Sequence, residues 1–480
     1  TYLQVPFGAM KGIMQYNFRY IDEDVFGKAY ETFLAEVRHE EGIYYTPKYI
    51  TESIVENTVG RIFDDLIEQI KEEINKENLE QVKKNIAKLI SVKVLDPACG
   101  SGSFLIKAIR TILKRYDALI DILNIIEKKI RRKYSNYLSS LTCPEEIKVK
   151  IKNISDIKKM IGATNRRELI SKIIIRHIHG NDLDKRALDV AKVNVWLEAI
   201  KLCPREFRYD RLPSDTNYIL PSLEMNLCNG DSLVGMPHDI TIRYLCENCQ
   251  ADIIKLFELR NQYLNEPTNP EIIEKIEKIK AQITKKLDEE FRNYLTVHDF
   301  PSDIIEKTKP LHWPLDFWYV FFDECGNPLP RDDCGFDAVI GNPPYIDSET
   351  MTRYFPALRE YCAKNYVCAS GNWDVFCVFI ERSITNIKTG GYFGFILPNK
   401  LLSADYADKT RNFIKKYRIV LLRDYSRVKV FDAAVYPIVL ILKKETWNVK
   451  DVAIVEIFHE IPNKIYILHY SYIPSHRIIV

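Results

Sequence analysis

One short apolar run ends in four residues that could bind an amino group: Asn342, Pro343, Pro344 and Tyr345. Two prolines restrict the backbone, so the Asn342 side-chain oxygen and the Pro343 carbonyl oxygen point in fixed directions. Both oxygens are acceptors. Together they could hold the two hydrogens of an NH₂ group and stabilise the positive charge that grows when its nitrogen attacks a methyl group. Tyr345 could stack on the ring that carries the amine, a contact worth about 1–3 kcal/mol.

The same four residues have a structural alternative, because two prolines can simply end a strand in a rigid turn. With each residue type at about 5%, the order Asn-Pro-Pro-Tyr arises by chance about once in 10⁵ positions, or about once in 300 chains of this length. Chance is therefore a weak explanation, and we favour amine chemistry at this corner.

A glycine-rich turn from Asp96 to Phe104 could bind a small charged ligand. Its sequence is DPACGSGSF, and a helical stretch follows it. Glycines let a ligand approach the backbone, and the helix N-terminus offers unpaired N–H groups. Leu105 stands where a dinucleotide fingerprint needs glycine, and Asp96 would repel a pyrophosphate but attract an ammonium group. The turn favours a zwitterionic or cationic ligand; the alternative is a purely structural turn.

Two further acidic residues follow predicted strands. Asp182 could accept hydrogen bonds from ribose hydroxyls, because an acid at the tip of a neighbouring strand faces the ligand crevice. Asp231 could accept from the exocyclic amine of a purine. Asp184 is better placed to cap the helix that follows it. A single acid of this kind is more often a cap or a solvated turn residue, but three at successive strand ends indicate a binding site.

Elements that could position these residues begin at Ser91. Short apolar runs alternate there with helical stretches, and the runs cover residues 92–96, 172–182, 225–231, 336–345, 391–398, 419–425 and 436–444. This alternation predicts a doubly wound parallel sheet with helices on both faces. We expect the asparagine corner and the glycine turn to open onto one pocket.

Several regions lie outside this alternation. Residues 1–90 have a helical period and are predicted as a helical N-terminal region. Two insertions interrupt the sheet domain of residues 91–445. Residues 128–172 carry 13 basic and 4 acidic side chains, and residues 235–335 contain a predicted helical hairpin. We expect the basic insertion at the sheet edge away from the ligand and the second insertion on the ligand side. Residues 446–480 are predicted as C-terminal strands or the start of a recognition region.

Composition excludes several classes of protein. The 480 residues are 46% hydrophobic and 28% charged with a net charge of +2, which is typical of a globular chain. No apolar run approaches the roughly 18 residues of a membrane span, so we expect a cytoplasmic protein with no membrane partner. Eleven cysteines, an odd number, do not suggest a secreted disulfide framework. Cys246 and Cys249 could form half of a zinc site, but no second pair follows at a suitable distance, so no metal is predicted.

The motifs in their order resemble those of the gamma-class N6-adenine DNA methyltransferases of type II and type IIG restriction-modification systems. YYTP at residues 44–47 precedes DPACGSGSF, GND, GDS and NPPY, and the resemblance covers about residues 30–445. It implies a Rossmann-like methyltransferase sheet, S-adenosylmethionine as cofactor and duplex DNA as substrate. The implied reaction is methyl transfer to N6 of an adenine rotated out of the duplex, since the amine is unreachable inside the stack.

The resemblance also implies roles for the motif residues. The YYTP loop would help to close the methionine end of the cofactor, which the glycine turn would line. Asp182 would hold the ribose, and Asp231 the adenine amine of the cofactor. The NPPY corner would hold the target base, and Phe431 would stack on the other face of that base, unless it is a plain core residue. The predicted cofactor-binding set is Tyr45, Thr46, Pro47, Asp96, Pro97, Ala98, Gly100, Gly102, Phe104, Asp182, Leu183, Asp231, Ser232 and Asn342.

Members of this family carry target-recognition domains and, in type IIG enzymes, a nuclease. Neither end of this sequence has room for a domain of typical size, so we expect a catalytic core, or a subunit that uses a separate target-recognition module. Two alternatives remain. The first is a methyltransferase that acts on RNA adenine or on a glutamine amide of a protein. The second is a non-catalytic scaffold subunit that binds S-adenosylmethionine.

Overall fold

A nine-stranded sheet forms the centre of the part of the chain that the structure describes. The computed structural model describes residues 46–133, 145–163, 165–203, 220–301, 303–431, 436–448, 450–461 and 464–474. The strands are β1 (Val94–Asp96), β2 (Ile178–Asp182), β3 (Leu227–Asn229), β4 (Phe336–Gly341), β5 (Ile387–Pro398), β6 (Arg418–Arg427), β7 (Pro437–Lys443), β8 (Val452–Ile461) and β9 (Lys464–Pro474).

Helices fill the connections between these strands. Before β2 lie α1 (Lys48–Val55), a π-helical turn (Glu56–Gly60), α2 (Arg61–Asn75), α3 (Leu79–Ser91), α4 (Ser103–Lys133), α5 (Glu145–Ile161) and α6 (Arg166–His177). Between β2 and β4 lie α7 (Lys185–Leu202), α8 (His238–Asn248), α9 (Gln250–Asn265), α10 (Pro270–Val297), α11 (Ile304–Thr308), α12 (Trp313–Asp316) and α13 (Trp318–Phe321). After β4 follow α14 (Ser348–Tyr354), α15 (Pro356–Asn365), α16 (Val375–Thr385), α17 (Lys400–Ser403), a 3₁₀ turn (Asp405–Ala407) and α18 (Asp408–Ile414).

The order of the strands reverses between β1 and β4. Across the sheet the order is β3-β2-β1-β4-β5-β7-β6-β8-β9. The first five of these strands are parallel, and β7 lies antiparallel between β5 and β6. In open α/β sheets, ligands bind outside the carboxyl ends of the strands at such a switch point. The candidate residues stand at the carboxyl ends of β1 and β2 or just after β3 and β4, so they meet at this point.

Side chains of the central strands alternate between two hydrophobic cores, one on each face of the sheet. Val94 and Ile340 belong to the core that contains residues of α1–α7. Leu95 and Val339 belong to the core that contains residues of α8–α18. Because both faces are covered, successive residues of these strands, such as Val94 and Leu95 of β1, are both apolar and buried. The predicted fold class, an α/β sheet with helices on both faces, is confirmed.

The prediction of a strand over residues 172–182 is wrong in its first half. Residues up to His177 form the end of α6, and β2 begins at Ile178. Asn165 caps this helix by accepting a hydrogen bond from the Glu168 N–H, which commits the following turns to helix. A continuous apolar run does not distinguish a buried helix from a buried strand by its period.

The two insertions lie on different parts of the sheet. α6 leads directly into the start of β2, and α5 packs against α4 on the same core, so the basic insertion lies at the amino ends of the strands. The hairpin predicted in the second insertion is present as α9 and α10. Its apolar face, including Leu256 and Ile283, is buried in the other core.

The N-terminal and C-terminal regions are described only in part. Tyr45 and the first helical run predicted near residue 30 lie outside the described residues, whereas α1, α2 and α3 agree with the helical period. At the other end, β8 pairs with β6 and forms a hairpin with β9. No helix within the described ranges is both long and apolar enough for a membrane span.

Candidate active site

A cavity of about 880 Å³ opens at the carboxyl ends of β1–β4. Its volume lies within the range of about 300–1,000 Å³ that small-molecule sites occupy. Twelve of the predicted residues line it: Thr46, Asp96, Pro97, Ala98, Gly100, Phe104, Asp182, Leu183, Asp231, Ser232, Asn342 and Pro344. The cavity therefore joins the glycine turn to the asparagine corner.

Two glycines shape the turn after β1 in different ways. Gly100 and Gly102 have φ angles of +52° and +88°, which side chains with a Cβ rarely adopt. A Cβ on Gly100 would meet no atom within 4 Å, so its backbone borders open space in the cavity. A Cβ on Gly102 would lie 3.2 Å from the Cβ of Ala191, so this glycine instead permits close packing of α7. Gly102 does not line the cavity.

Asp182 connects the end of β2 to the glycine turn. Its Oδ2 accepts a hydrogen bond from the Gly100 N–H at 2.8 Å, and its Oδ1 accepts from the Asp184 N–H at 2.9 Å. Asp184 caps α7 by accepting from the Arg186 N–H at 2.9 Å, as predicted. The turn and the strand end thus hold each other in place at the mouth of the cavity.

Two buried carboxyl groups make the pocket attractive to positively polarised groups. Burial raises the pKa of Asp96 well above its usual range, and the nearby charge of Asp182 raises it further. Burial likewise raises the pKa of Asp231 to about 6, although its Oδ1 accepts from the Leu233 N–H at 2.9 Å. A donor or a cation placed beside these groups would favour their charged forms. These residues therefore fit a ligand that carries an ammonium group and an amine.

The asparagine corner lies directly against the glycine turn. A Cβ on Gly341 would stand 2.7 Å from Asp96 Oδ1, so only glycine permits this approach between β4 and β1. The next residue, Asn342, donates from Nδ2 to Thr46 Oγ1 at 3.1 Å. Because this bond uses the NH₂ end of the amide, it directs the oxygen end elsewhere. The loop before α1 therefore sets the orientation of the Asn342 side chain.

Five of the predicted residues lie outside the cavity wall: Pro47, Gly102, Pro343, Tyr345 and Phe431. Tyr345 donates its hydroxyl to the Ile396 carbonyl at 3.0 Å. Its ring meets Phe431 edge-on, with centroids 6.4 Å apart and an interplanar angle of 78°. Phe431 is 5% exposed and packs in the core. In this structure the two rings are not parallel, so they do not form two facing platforms for a base.

Sequence reasoning missed one wall of the cavity. This wall comes from the end of α14, the start of α15 and α16, and it contains Arg353, Tyr354, Phe355, Pro356, Ala357, Leu358, Val375 and Phe379. The adjacent aromatic residues Tyr354 and Phe355 before a proline were the available signal. Lys307 and Thr308 of α11 complete this side, so the second insertion reaches the ligand side of the sheet as expected.

The loop after Asp231 is also held by residues that no motif indicated. Three donors bind successive carbonyl oxygens of this loop: Trp313 Nε1 binds Ser232 at 3.1 Å, the Tyr366 hydroxyl binds Leu233 at 2.6 Å, and the Leu311 N–H binds Val234 at 2.9 Å. Two of the three come from the second insertion. That insertion therefore holds one wall of the cavity in place, besides bordering it.

Cysteine chemistry and metal binding gain no support from this site. Cys99 lines the cavity, but burial raises the pKa of its thiol well above the usual value, so the thiolate is disfavoured. Across the described ranges, no group of three or more His, Cys, Asp or Glu side chains is arranged to hold a metal ion.

Comparison with known proteins adds to this geometry. A family model described as Eco57I restriction-modification methylase matches residues 176–431, which is more than half of the chain. A second model, the DNA-methyltransferase domain of MmeI, matches residues 68–231.

Curated relatives share low identity over most of the chain. RM.MjaORFECS2P of Methanocaldococcus jannaschii is 25% identical over 93% of this chain and 40% of that protein. The type II restriction enzyme and methyltransferase RM.Eco57I of Escherichia coli is 24% identical over 90% of this chain and 32% of that protein. The chain thus spans less than half the length of either relative. Among solved structures, the type IIL restriction-modification enzyme MmeI in complex with DNA gives a TM-score of 0.47 at 12% identity, covering 93% of this chain and 43% of that one.

Proposed function

Because the chain belongs to the Eco57I restriction-modification methylase family, we propose that it transfers a methyl group from S-adenosylmethionine to N6 of an adenine rotated out of duplex DNA. One observation carries this proposal. The asparagine corner and the glycine turn border one cavity, and Asn342 and Asp96 both line it. A methyl donor held on the turn would therefore stand next to an amine held at the corner.

S-adenosylmethionine, when bound, supplies an electrophilic methyl group on a sulfonium centre. The residues of the cavity fit its polar groups. Asp96 would attract the ammonium group, Asp182 would accept from the ribose hydroxyls and Asp231 from the adenine amine. Thr46 would close the methionine end, and Leu183, which is 56% exposed, would cover an apolar face of the ligand.

Asn342 and the Pro343 carbonyl would act on the target amine. An aromatic amine is a poor nucleophile because its lone pair is delocalised into the ring. Two fixed acceptors on its hydrogens would favour the pyramidal form and stabilise the positive charge that develops during attack. The amine proton would leave after methyl transfer, so neither a covalent enzyme intermediate nor a general base is needed. Tyr345 and Phe431 would stack on the base once their rings separate.

Recognition of a DNA sequence would require residues beyond those of the cavity. The matching regions cover 40% and 32% of the two curated relatives, so each relative is more than twice as long as the region that it shares with this chain. A target-recognition module, in the same polypeptide or on a separate subunit, would supply the specificity. The reaction would take place in the cytoplasm, where the DNA is.

Transfer of tritium from labelled S-adenosylmethionine tests the substrate directly. Label in duplex DNA, released as N6-methyladenine on digestion, is the expected result. Label found only in RNA or only in protein would replace DNA by one of the alternative substrates. No transfer to any of the three, together with cofactor binding, would support the scaffold alternative.

Asn342→Ala supplies the matched test of the mechanism. Removing a fixed polar group at the reacting centre should lower the methylation rate by about 10²–10³-fold. Cofactor affinity should fall by a much smaller factor, because Asn342 is one predicted cofactor contact among many and the glycine turn and the three aspartates remain. Asn265→Ala, on the exposed end of α9, is the control and should leave the rate unchanged. An unchanged rate in Asn342→Ala would contradict the assignment.

A further inference from the structure

Four cationic residues lie on segments that are linked by contacts to the asparagine corner, and none of them lines the cavity: Lys48, Lys400, Arg427 and Lys429. All four are exposed, and the Lys400 side chain is 60% accessible. They come from four separate segments: the first turn of α1, the first turn of α17, the end of β6 and the loop that follows it. We refer to these four residues as the cationic rim.

Hydrogen bonds at the end of β5 bring two members of the rim together. Asn399 donates its N–H to the Tyr436 carbonyl at 2.8 Å and its Nδ2 to Ser426 Oγ at 3.1 Å. Lys400 follows Asn399, and Arg427 follows Ser426. Ile396, which accepts the Tyr345 hydroxyl, lies three residues before Asn399, or about 10 Å along the strand. The segments that carry Lys400 and Arg427 therefore lie side by side, near the strand position that binds Tyr345.

The other two members are tied to the corner itself. Lys429 lies two residues before Phe431, whose ring contacts Tyr345. Lys48 lies two residues after Thr46, which accepts the hydrogen bond from Asn342. The rim residues therefore belong to the same backbone segments that position the proposed base-binding residues.

Two aromatic residues lie next to these cations: Tyr49 follows Lys48, and the Tyr436 carbonyl binds the N–H of Asn399 beside Lys400. Tyr49 and Tyr436 are 40% and 54% exposed, and the Tyr49 ring meets Tyr425 edge-on at 6.1 Å. Exposed aromatic rings among cations are typical of surfaces that bind unstacked nucleotides. Acidic residues nearby are engaged: Asp424 accepts from the Ser426 N–H at 2.8 Å, and Asp374 accepts from the Tyr406 hydroxyl at 2.7 Å while standing 3.7 Å from Lys400.

We propose that the cationic rim binds the phosphates that flank the flipped adenine of duplex DNA. This inference rests on the proposed function. A base rotated out of the stack remains attached to its backbone, so the flanking phosphates must pass close to the mouth of the base pocket. Exposed lysine and arginine side chains at that mouth would hold the backbone without reading the sequence. The rim would thus position the strand while the corner binds the base.

The more basic segment of the chain is a poorer candidate for this contact. The cluster at residues 128–133 lies at the end of α4, whose 31 residues extend about 46 Å from the glycine turn. A duplex that delivers a base to Asn342 would lie on the opposite edge of the sheet.

The salt dependence of DNA binding tests the rim quantitatively. Affinity of the chain for a fluorescein-labelled 30-base-pair duplex would be measured by anisotropy between about 50 and 200 mM KCl, with S-adenosylhomocysteine present. Each lost phosphate contact should flatten the slope of log K against log salt by about 0.9. When the salt concentration rises fourfold, the factor by which DNA affinity falls should be about 3.5 times smaller in each rim variant than in the wild type. The variants are Lys400→Ala, Arg427→Ala and Lys429→Ala.

Matched controls lie on α4. Lys129→Ala and Arg132→Ala remove the same charges from the other edge and should leave the slope unchanged. Cofactor affinity should be equal in all variants, because none of these residues lines the cavity, and this shows that each variant is folded. Rim variants with the wild-type slope would overturn the inference, and so would α4 variants that flatten it.

The outcomes separate the inference from the proposed function. A wild-type chain that methylates duplex DNA, with rim variants of unchanged slope, would refute the rim and leave the function standing. A wild-type chain that methylates only RNA or protein would refute the function. A rim that responds to RNA and not to duplex DNA would refute the choice of partner.

Discussion

Replacing Thr46 by Val would test whether the loop before α1 orients Asn342. Thr46 is 4% exposed, and its Oγ1 accepts from Asn342 Nδ2 at 3.1 Å. Valine keeps the β-branched shape and removes the hydroxyl, so the main change is the loss of this hydrogen bond. Without it, the amide can turn so that its NH₂ end faces the target amine, where two donors would oppose each other.

The expected magnitude follows from the cost of leaving the partly buried Asn342 amide without its acceptor. That cost is about 1–3 kcal/mol. If all of it appears as loss of the productive amide orientation, the rate constant for methyl transfer should fall by about 5- to 150-fold, since 1.36 kcal/mol corresponds to tenfold. Thr46→Ser keeps the hydroxyl and should recover most of the rate.

Single-turnover methylation at saturating cofactor separates this effect from cofactor binding. The rate constant reports on Asn342, and a separate equilibrium measurement of cofactor affinity reports on the other contacts of Thr46 with the cavity. A Thr46→Val protein with the wild-type single-turnover rate constant would refute the reasoning, whatever its cofactor affinity. If the rate constant of Thr46→Ser is as low as that of Thr46→Val, loss of the hydroxyl is not the cause of the slower methyl transfer.

Three further predictions concern the cavity and the helix beside it. Burial raises the pKa of Asp231 to about 6, so below that pH the carboxyl becomes protonated and can accept fewer hydrogen bonds; calorimetry should show cofactor affinity falling by up to about tenfold per pH unit below 6. Asp231→Asn should weaken this pH dependence and leave only the part due to Asp96, whose pKa is also raised, whereas an unchanged dependence would exclude Asp231 as a contributor. Gly394→Ala should lower the free energy of unfolding by about 1–3 kcal/mol in urea titrations, because the added Cβ would lie 2.7 Å from Thr58 Cγ2 and push the π-helical turn away from β5. An unchanged midpoint would show that this turn moves aside at no cost in stability. Cys99→Ala should retain methyl transfer, because burial raises the pKa of the thiol and keeps it protonated; complete loss of activity with cofactor binding intact would point to a chemical role for the sulfur.

Much of the site could be predicted because parallel strands end at one edge of a sheet. Asp96, Asp182, Asp231 and Asn342 each follow a different strand in the sequence, and the alternation of strands and helices predicted that these strands are parallel neighbours. The structure brings all four side chains to one cavity. Their roles in binding and catalysis stay predictions.

Other features could not be predicted, because they depend on contacts between distant segments. The apolar run of residues 172–177 fits a strand and a helix equally well. These residues are helical because Asn165 caps the helix and the helix packs against α4. The wall from Arg353 to Leu358 carries no motif. The edge-on contact between Tyr345 and Phe431 joins two loops that are far apart in the chain.

The sequence by itself determined which chemical groups are available and at which strand ends they stand, because motifs and periodicity act over a few residues. The tertiary structure alone decided which of these groups touch each other directly. Thr46 and Asn342 are 296 residues apart, yet they share a hydrogen bond, and the approach of Gly341 to Asp96 leaves no room for a Cβ. Such contacts depend on how the helices and strands pack together, and packing is a property of the whole chain rather than of any segment.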